Sequence, residues 1–171
     1  MLTLASTSFI QMKIHRYSLN LNWTGNQGKG TINYKSYGRH HEINIEGKPT
    51  LYASADPAFR GDTTHYNPEE LLLASLSGCH MLWFLHLCAD NGINVVDYQD
   101  NPTATMQETN NGGGRFTEVT LQPEVTITEK WMASKLDAMH DQANQSCFIA
   151  NSVNFPVTHR AKWQLPQAAK K

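Results

Sequence analysis

Three cysteines, Cys79, Cys88 and Cys147, are the residues of this 171-residue chain best suited to chemistry. A cysteine thiolate is a strong nucleophile, and two thiols that meet can cycle through a disulfide. Cys79 and Cys88 are nine residues apart in one apolar stretch. As a helix that stretch places them on opposite faces, ~13.5 Å apart along the axis, so they cannot bridge each other. Gly78 leaves room for a close approach beside Cys79. Cys88 has no such neighbour and reads as a small buried hydrophobe. Cys147 closes a later predicted helix, beside Phe148 and Ile149. Two cysteines on separate helices suggest a reversible pair. Spacing alone leaves Cys79 open between that role and plain packing.

The eight histidines give a weaker signal. His80 and His86 are six residues apart, about 120° from sharing a helix face, and are poorly placed as paired metal ligands. His40, His41 and His65 lack a companion CxxC or HExxH motif. No metal and no cofactor are expected, and His80 reads as a core or interface side chain. Glycine-rich nucleotide loops and the GxSxG nucleophile elbow are missing from the sequence. With 14 basic and 15 acidic residues the formal charge is −1, which gives no electrostatic case for nucleic acid or an anionic membrane. A chain that is 40% apolar and 17% charged is an ordinary globular sequence rather than a disordered one.

The elements that would position the thiols can be read in order. Ile14 to Trp23, Thr31 to Tyr37 and His41 to Ile45 alternate as strands, and residues 46–66 read as loop with a short strand near Leu51. Asn67 is a helix cap, with Pro68 at the first turn and Glu69 and Glu70 complementing the helix dipole. Asn91 and Gly92 end that helix. Ile93 to Met106 and Phe116 to Ile127 read as two strands around a flexible Asn110–Gly114 connection. A second helix opens near Thr128 and Glu129, carries Met132, Leu136, Met139 and Ala143 at helical spacing, and ends near Ser146 and Cys147. Val157 to Leu165 reads as a last strand. Strands, helix, strands, helix, strand make an α+β fold, with antiparallel sheet wrapped around a long buried central helix.

The stretch Asn67–Cys88, NPEELLLASLSGCHMLWFLHLC, is apolar on almost every side. Such a helix is buried in protein or spans a membrane. Ser75, Ser77, His80 and His86 interrupt it, and strands of soluble pattern flank it, so protein burial is the expectation. One small domain has difficulty covering it all round, so a homodimer with this helix near the interface is expected. The N-terminus lacks the charged region of a signal peptide, and the default compartment is the cytoplasm. Met12 is as good a start as Met1, so residues 1–11 read as a poorly ordered extension of a single domain over residues 12–171.

NPEELLLASLSGC resembles the signature of the OsmC/Ohr family, the osmotically inducible and organic hydroperoxide resistance proteins. The spacing from Glu69 to Cys79 matches, a late cysteine matches at Cys147, and the element order agrees over most of residues 14–165. The resemblance implies an intertwined dimer and a cysteine peroxidase with no cofactor. In it Cys79 attacks an organic hydroperoxide and Cys147 resolves the sulfenic acid. A dithiol reductant, for example of lipoyl type, resets the pair. It also implies an arginine held by Glu69 that activates the nucleophile. Arg60 matches the OsmC branch, and Arg39 is the alternative. Glu69 lies ~15 Å from Cys79 along one helix, so a Glu69 from the partner subunit is the simpler arrangement. Trp83, Phe84, Phe148 and Phe155 are the candidates for an apolar substrate pocket. The family commonly has Pro after the second cysteine, where this chain has Phe148. A non-catalytic binder of small hydrophobic ligands and a redox sensor on the same fold are the alternatives. A pure ligand binder needs neither the cysteine pair nor the arginine, and a sensor would react once and cycle poorly.

Overall fold

The structure is a computed structural model and describes residues 13–167. The expected extension, residues 1–11, lies outside the described residues. The chain divides into two compact units, one up to Tyr66 and one from Asn67 on.

The first unit holds an antiparallel sheet of β1 (Asn20–Trp23), β2 (His41–Asn44) and β3 (Leu51–Ala53), with β2 in the middle. The strand expected over Thr31–Tyr37 does not form; that segment is a run of turns, touching strand structure only through the Tyr37–Asn26 bridge. The reason is local hydrogen bonding. Asn26 Oδ1 accepts from the backbone of Gly28 and Gly30, both at positive φ. Asn33 Oδ1 accepts from Lys35 N, and Ser36 Oγ donates to the Gly30 and Asn33 carbonyls. Short polar side chains thereby supply the backbone with partners that a strand would otherwise supply.

The second unit begins with α1 (Pro68–Asp90). Its cap is a complete box: Glu70 N donates to Asn67 Oδ1 at 2.8 Å, and Asn67 N donates to Glu70 Oε2 at 3.0 Å. Four strands follow where the sequence reading had two. These are β4 (Val95–Asp100), β5 (Thr103–Glu108), β6 (Gly114–Leu121) and β7 (Pro123–Ile127). The extra breaks fall at Asn101-Pro102 and at Gln122, whose backbone N–H donates to Asp100 Oδ1. Residues Val157–His159 (β8) and Lys162–Gln164 (β9) are also two strands rather than one, and they join different sheets. The sheets are β4-β7-β9 and β5-β6-β8, in which β8 and β9 pair parallel to their neighbours and the other pairings are antiparallel. Between β7 and β8 runs α2 (Ala133–Ser146).

The core follows the helix periodicities. On α1 the buried residues are Leu76, His80, Phe84 and Cys88, one per turn. Leu76 packs with Val119 and Leu121 of β6, while Phe84 and Cys88 pack with Val125, Ile127, Leu136 and Met139. The α2 positions expected from spacing, Met132 just before it and Leu136, Met139 and Ala143 within it, are all buried. The rest of α1 is half-buried or exposed, with Leu82 at 65%. Within one chain the helix is therefore buried along a single stripe and remains apolar elsewhere.

Candidate functional site

Cys79 sits midway along α1 and is half-buried, and Cys147 caps the C-terminus of α2 and is buried. The packing of α1 on α2 places the Cys79 thiol near enough to Cys147 to raise its pKa. Both are unbridged. Burial, with the hydrogen bond to Cys79 second, pushes the Cys147 thiol up to about 11. Cys147 is therefore a protonated thiol at neutral pH. Its own sulfur accepts from Ala150 N at 3.3 Å. Cys88 lies elsewhere, in the core, where burial pushes its thiol up to about 12. The structure thus brings Cys147 toward Cys79 and leaves Cys88 in the core.

Aromatic side chains flank the pair. Trp83, one turn after Cys79 on the same helix face, meets Phe148 edge to face with ring centroids 5.8 Å apart. Phe148 follows Cys147 and is 67% exposed. Leu82, Trp83 and His86 line a shallow apolar depression. Phe84 and Phe155 lie elsewhere. Phe84 is fully buried and stacks on His140 at 3.9 Å, and Phe155 packs on Phe116 in the other core cluster.

The two arginines differ in what holds them. Arg39 is engaged within the first unit: Nη2 donates to the Tyr34 carbonyl at 2.8 Å, Nη1 to the Tyr37 carbonyl, and the guanidinium lies 4.2 Å from the centroid of each tyrosine ring. That is the setting of a structural clamp. Arg60 ends a single 3-10 turn (Pro57–Phe59) capped by Asp56, and has φ 66°. It is the one residue other than glycine at positive φ among the described residues. An extended side chain at such φ is unusual and is held by its surroundings. Those surroundings are tight, since a Cβ on Gly61 would fall 1.6 Å from the Ala55 carbonyl oxygen. Among the described residues Arg60 has no ion-pair partner. Glu69, in the first turn of α1, has a buried Oε2 with no hydrogen-bond partner. A buried carboxylate oxygen left unpaired is costly, and it is the feature a guanidinium would satisfy.

Two histidine groups escaped the sequence reading. His80 Nε2 and His140 Nδ1 are 3.0 Å apart in the buried α1–α2 contact, with His159 packed against both rings at 5.6 Å. His80 was expected in the core; its partners were not. In the first unit His40, Asp62 and His65 converge: His40 Nε2 is 3.0 Å and His65 Nδ1 3.3 Å from Asp62 Oδ2. Neither histidine stands in a CxxC or HExxH motif; Asp62 joins them only in space.

An α+β fold thus carries one half-buried thiol midway along its long helix and a second, buried thiol at the end of the next helix. The sequence profile of OsmC-like proteins matches residues 61–162. An OsmC-like protein of unknown function from Vibrio cholerae is 30% identical, with a TM-score of 0.79 over 87% of this chain and all of its own. The fold is shared with the organic hydroperoxide resistance protein OsmC from Legionella pneumophila, 17% identical, TM-score 0.62, over 88% of this chain and 99% of that one. It is also shared with an organic hydroperoxide resistance protein from Elizabethkingia anophelis, 16% identical, TM-score 0.62, over 89% and 99%. No curated protein sequence matches the chain. The chain belongs to the OsmC-like family.

Proposed function

We propose that the protein is a homodimeric thiol peroxidase that reduces organic hydroperoxides. The observation that carries the reading is the approach of the Cys147 thiol to Cys79 across the α1–α2 contact. Cys79, the more exposed of the two, is the nucleophile. Its thiolate attacks the terminal oxygen of ROOH; the O–O bond breaks, the RO⁻ fragment takes up a proton and leaves as alcohol, and Cys79 becomes a sulfenic acid. Cys147 then attacks that sulfur, the S–O bond breaks, and water leaves as the disulfide forms. A dithiol of lipoyl type returns two electrons and two protons to regenerate both thiols.

Arg60 is the cation the cycle needs. A free cysteine is only a few per cent thiolate at neutral pH, and a guanidinium favours the thiolate and the departing oxyanion together. The unpaired Glu69 carboxylate supports a role in holding that arginine, from the same chain or from the partner. The clamped state of Arg39 argues against it as the alternative. The Trp83–Phe148 pair beside the thiols favours an apolar R group over hydrogen peroxide. The exposed apolar sides of α1 support the homodimer.

The test is steady-state turnover of cumene hydroperoxide with dihydrolipoamide, monitored by alcohol formation. The expected result is many turnovers per chain and a preference over hydrogen peroxide. A protein that reacts once and does not cycle would be a sensor, and one that does not react would be a binding protein.

A further inference from the structure

We infer that His40, Asp62 and His65 form a binding site for a borderline divalent transition metal of the zinc class. The three donors are His40 Nε2, Asp62 Oδ2 and His65 Nδ1, all within 4.8 Å of one another. The separations from Asp62 Oδ2, 3.0 Å and 3.3 Å, can be set against a metal's requirement. Tetrahedral ligands at zinc bond lengths lie about 3.3 Å apart. The two spacings therefore need only small adjustments to admit a metal ion.

The carboxylate is oriented for the role. Its other oxygen, Oδ1, accepts from Thr64 N at 2.9 Å and from Thr64 Oγ1 at 2.7 Å. This leaves Oδ2 facing both imidazoles, which is how outer hydrogen bonds commonly orient a ligating carboxylate.

The backbone is fixed as well. Thr24 N donates to the His40 carbonyl, Asp62 N donates to Ser54 Oγ, and Ser54 N donates to the Tyr66 carbonyl. The donors therefore come from two chain segments already held in place, which lowers the ordering cost of binding. Two imidazoles with one carboxylate suit zinc, cobalt, nickel or ferrous iron and are a poor set for magnesium or calcium. Three protein ligands leave at least one coordination position for water. The cluster is only half-buried, so a metal can reach it from solvent. Bound there, it would tie the start of β2 to the segment that carries Arg60 two residues before Asp62.

The inference does not depend on peroxidase chemistry. The thiols are a competing zinc site, so the experiment uses the full chain with Cys79→Ser, Cys88→Ser and Cys147→Ser. Zinc content after equilibrium dialysis and the visible spectrum of the cobalt complex are measured. About one metal per chain is expected, with cobalt bands of tetrahedral or five-coordinate strength and no effect of excess magnesium. His65→Gln and Asp62→Asn keep hydrogen-bonding groups in place while removing metal ligands, so the fold survives for comparison. Each is expected to weaken binding roughly tenfold or more. Absence of bound metal in the cysteine-free chain, or binding unaltered by both substitutions, would show that the three residues form only a hydrogen-bonded ion pair.

Discussion

His80 and His140 share a single hydrogen bond, Nε2 to Nδ1 at 3.0 Å, and among the described residues nothing else pairs with either ring's outer nitrogen. Whichever tautomer holds, one buried N–H and one buried lone pair remain unpaired. The residues lie on the two helices that carry the cysteines: His80 follows Cys79, and His140 is two turns before Cys147. The contact that brings the thiols together is thus partly made of groups that resist charging. Burial lowers His80 to about 4, with His159 the next cause. Burial again, with His80 and His159 nearby, lowers His140 to about 3.

The pH dependence of stability follows. The folded values lie below the ordinary histidine value, so the unfolded chain binds more protons between about pH 3 and 6.5. The contribution of the neutral pair is fully present above pH 6.5 and is lost as the pH falls through that window. The slope is about 1.4 kcal/mol per pH unit for each proton taken up. Urea titrations at several pH values should show stability declining below 6.5. In His80→Leu/His140→Leu that decline should flatten. An unchanged slope in the double variant would assign the acid lability to other groups.

The disulfide prediction separates the three cysteines. One equivalent of an alkyl hydroperoxide should link Cys79 to Cys147 and leave Cys88 reduced, read by peptide mapping. Closing that long loop stabilises the oxidised chain by about 4 kcal/mol in the entropy model. Cys147→Ser should leave Cys79 to proceed to sulfinic acid with excess peroxide. Cys88→Ser should keep turnover, while placing a hydroxyl in the core lowers stability by about 1–3 kcal/mol. A dominant linkage to Cys88 would rule out the proposed cycle.

Much of this arrangement is legible in the sequence where periodicity governs. The α1 start at Asn67-Pro68, the buried α2 positions and the burial of His80 all follow from caps and helical spacing. Burial of His140 was accessible in the same way, because it shares the face of Leu136, Met139 and Ala143. Features set by tertiary pairing were not accessible. The parallel pairings of β8 and β9 depend on which sheet edges are open. Asp62 became a companion of His40 only when the loop folded back on the sheet. The strand expected over Thr31–Tyr37 gives way to turns because the Asn and Ser side chains hold the backbone locally, against the strand-like alternation of Ile32 and Tyr34.

The arginines should separate stability from turnover. Arg39→Ala removes two hydrogen bonds and two ring contacts and should lower the stability of the first unit by about 1–3 kcal/mol, with turnover retained at low temperature. Arg60→Ala should leave stability nearly unchanged, whereas Arg60→Gly should raise it slightly by relieving the positive φ. For Arg60→Ala the informative readout is turnover. That substitution should reduce peroxide turnover by about 100-fold, in keeping with loss of one electrostatic donor. The reverse pattern would move the activating role to Arg39.

The apolar sides of α1 give the last prediction. A Cβ built on Gly78 meets nothing within 4 Å in this chain, and Leu82, one turn further on, is 65% exposed. In an isolated chain Gly78→Ala would stabilise the helix by about 1 kcal/mol, since glycine is the poorer helix former, and Leu82→Glu would be almost neutral. In a dimer closed over this part of α1 both outcomes reverse. Gly78 becomes a site of close backbone approach, and Leu82 becomes a buried anchor whose replacement leaves an unpaired charge. Analytical ultracentrifugation should therefore find a dimer for the parent chain, with a weakened dimer for Leu82→Glu. Thermal unfolding of Gly78→Ala should fall rather than rise. A stable dimer with both substitutions tolerated would place the interface on another face, and a monomeric parent chain would remove the partner's Glu69 from the site.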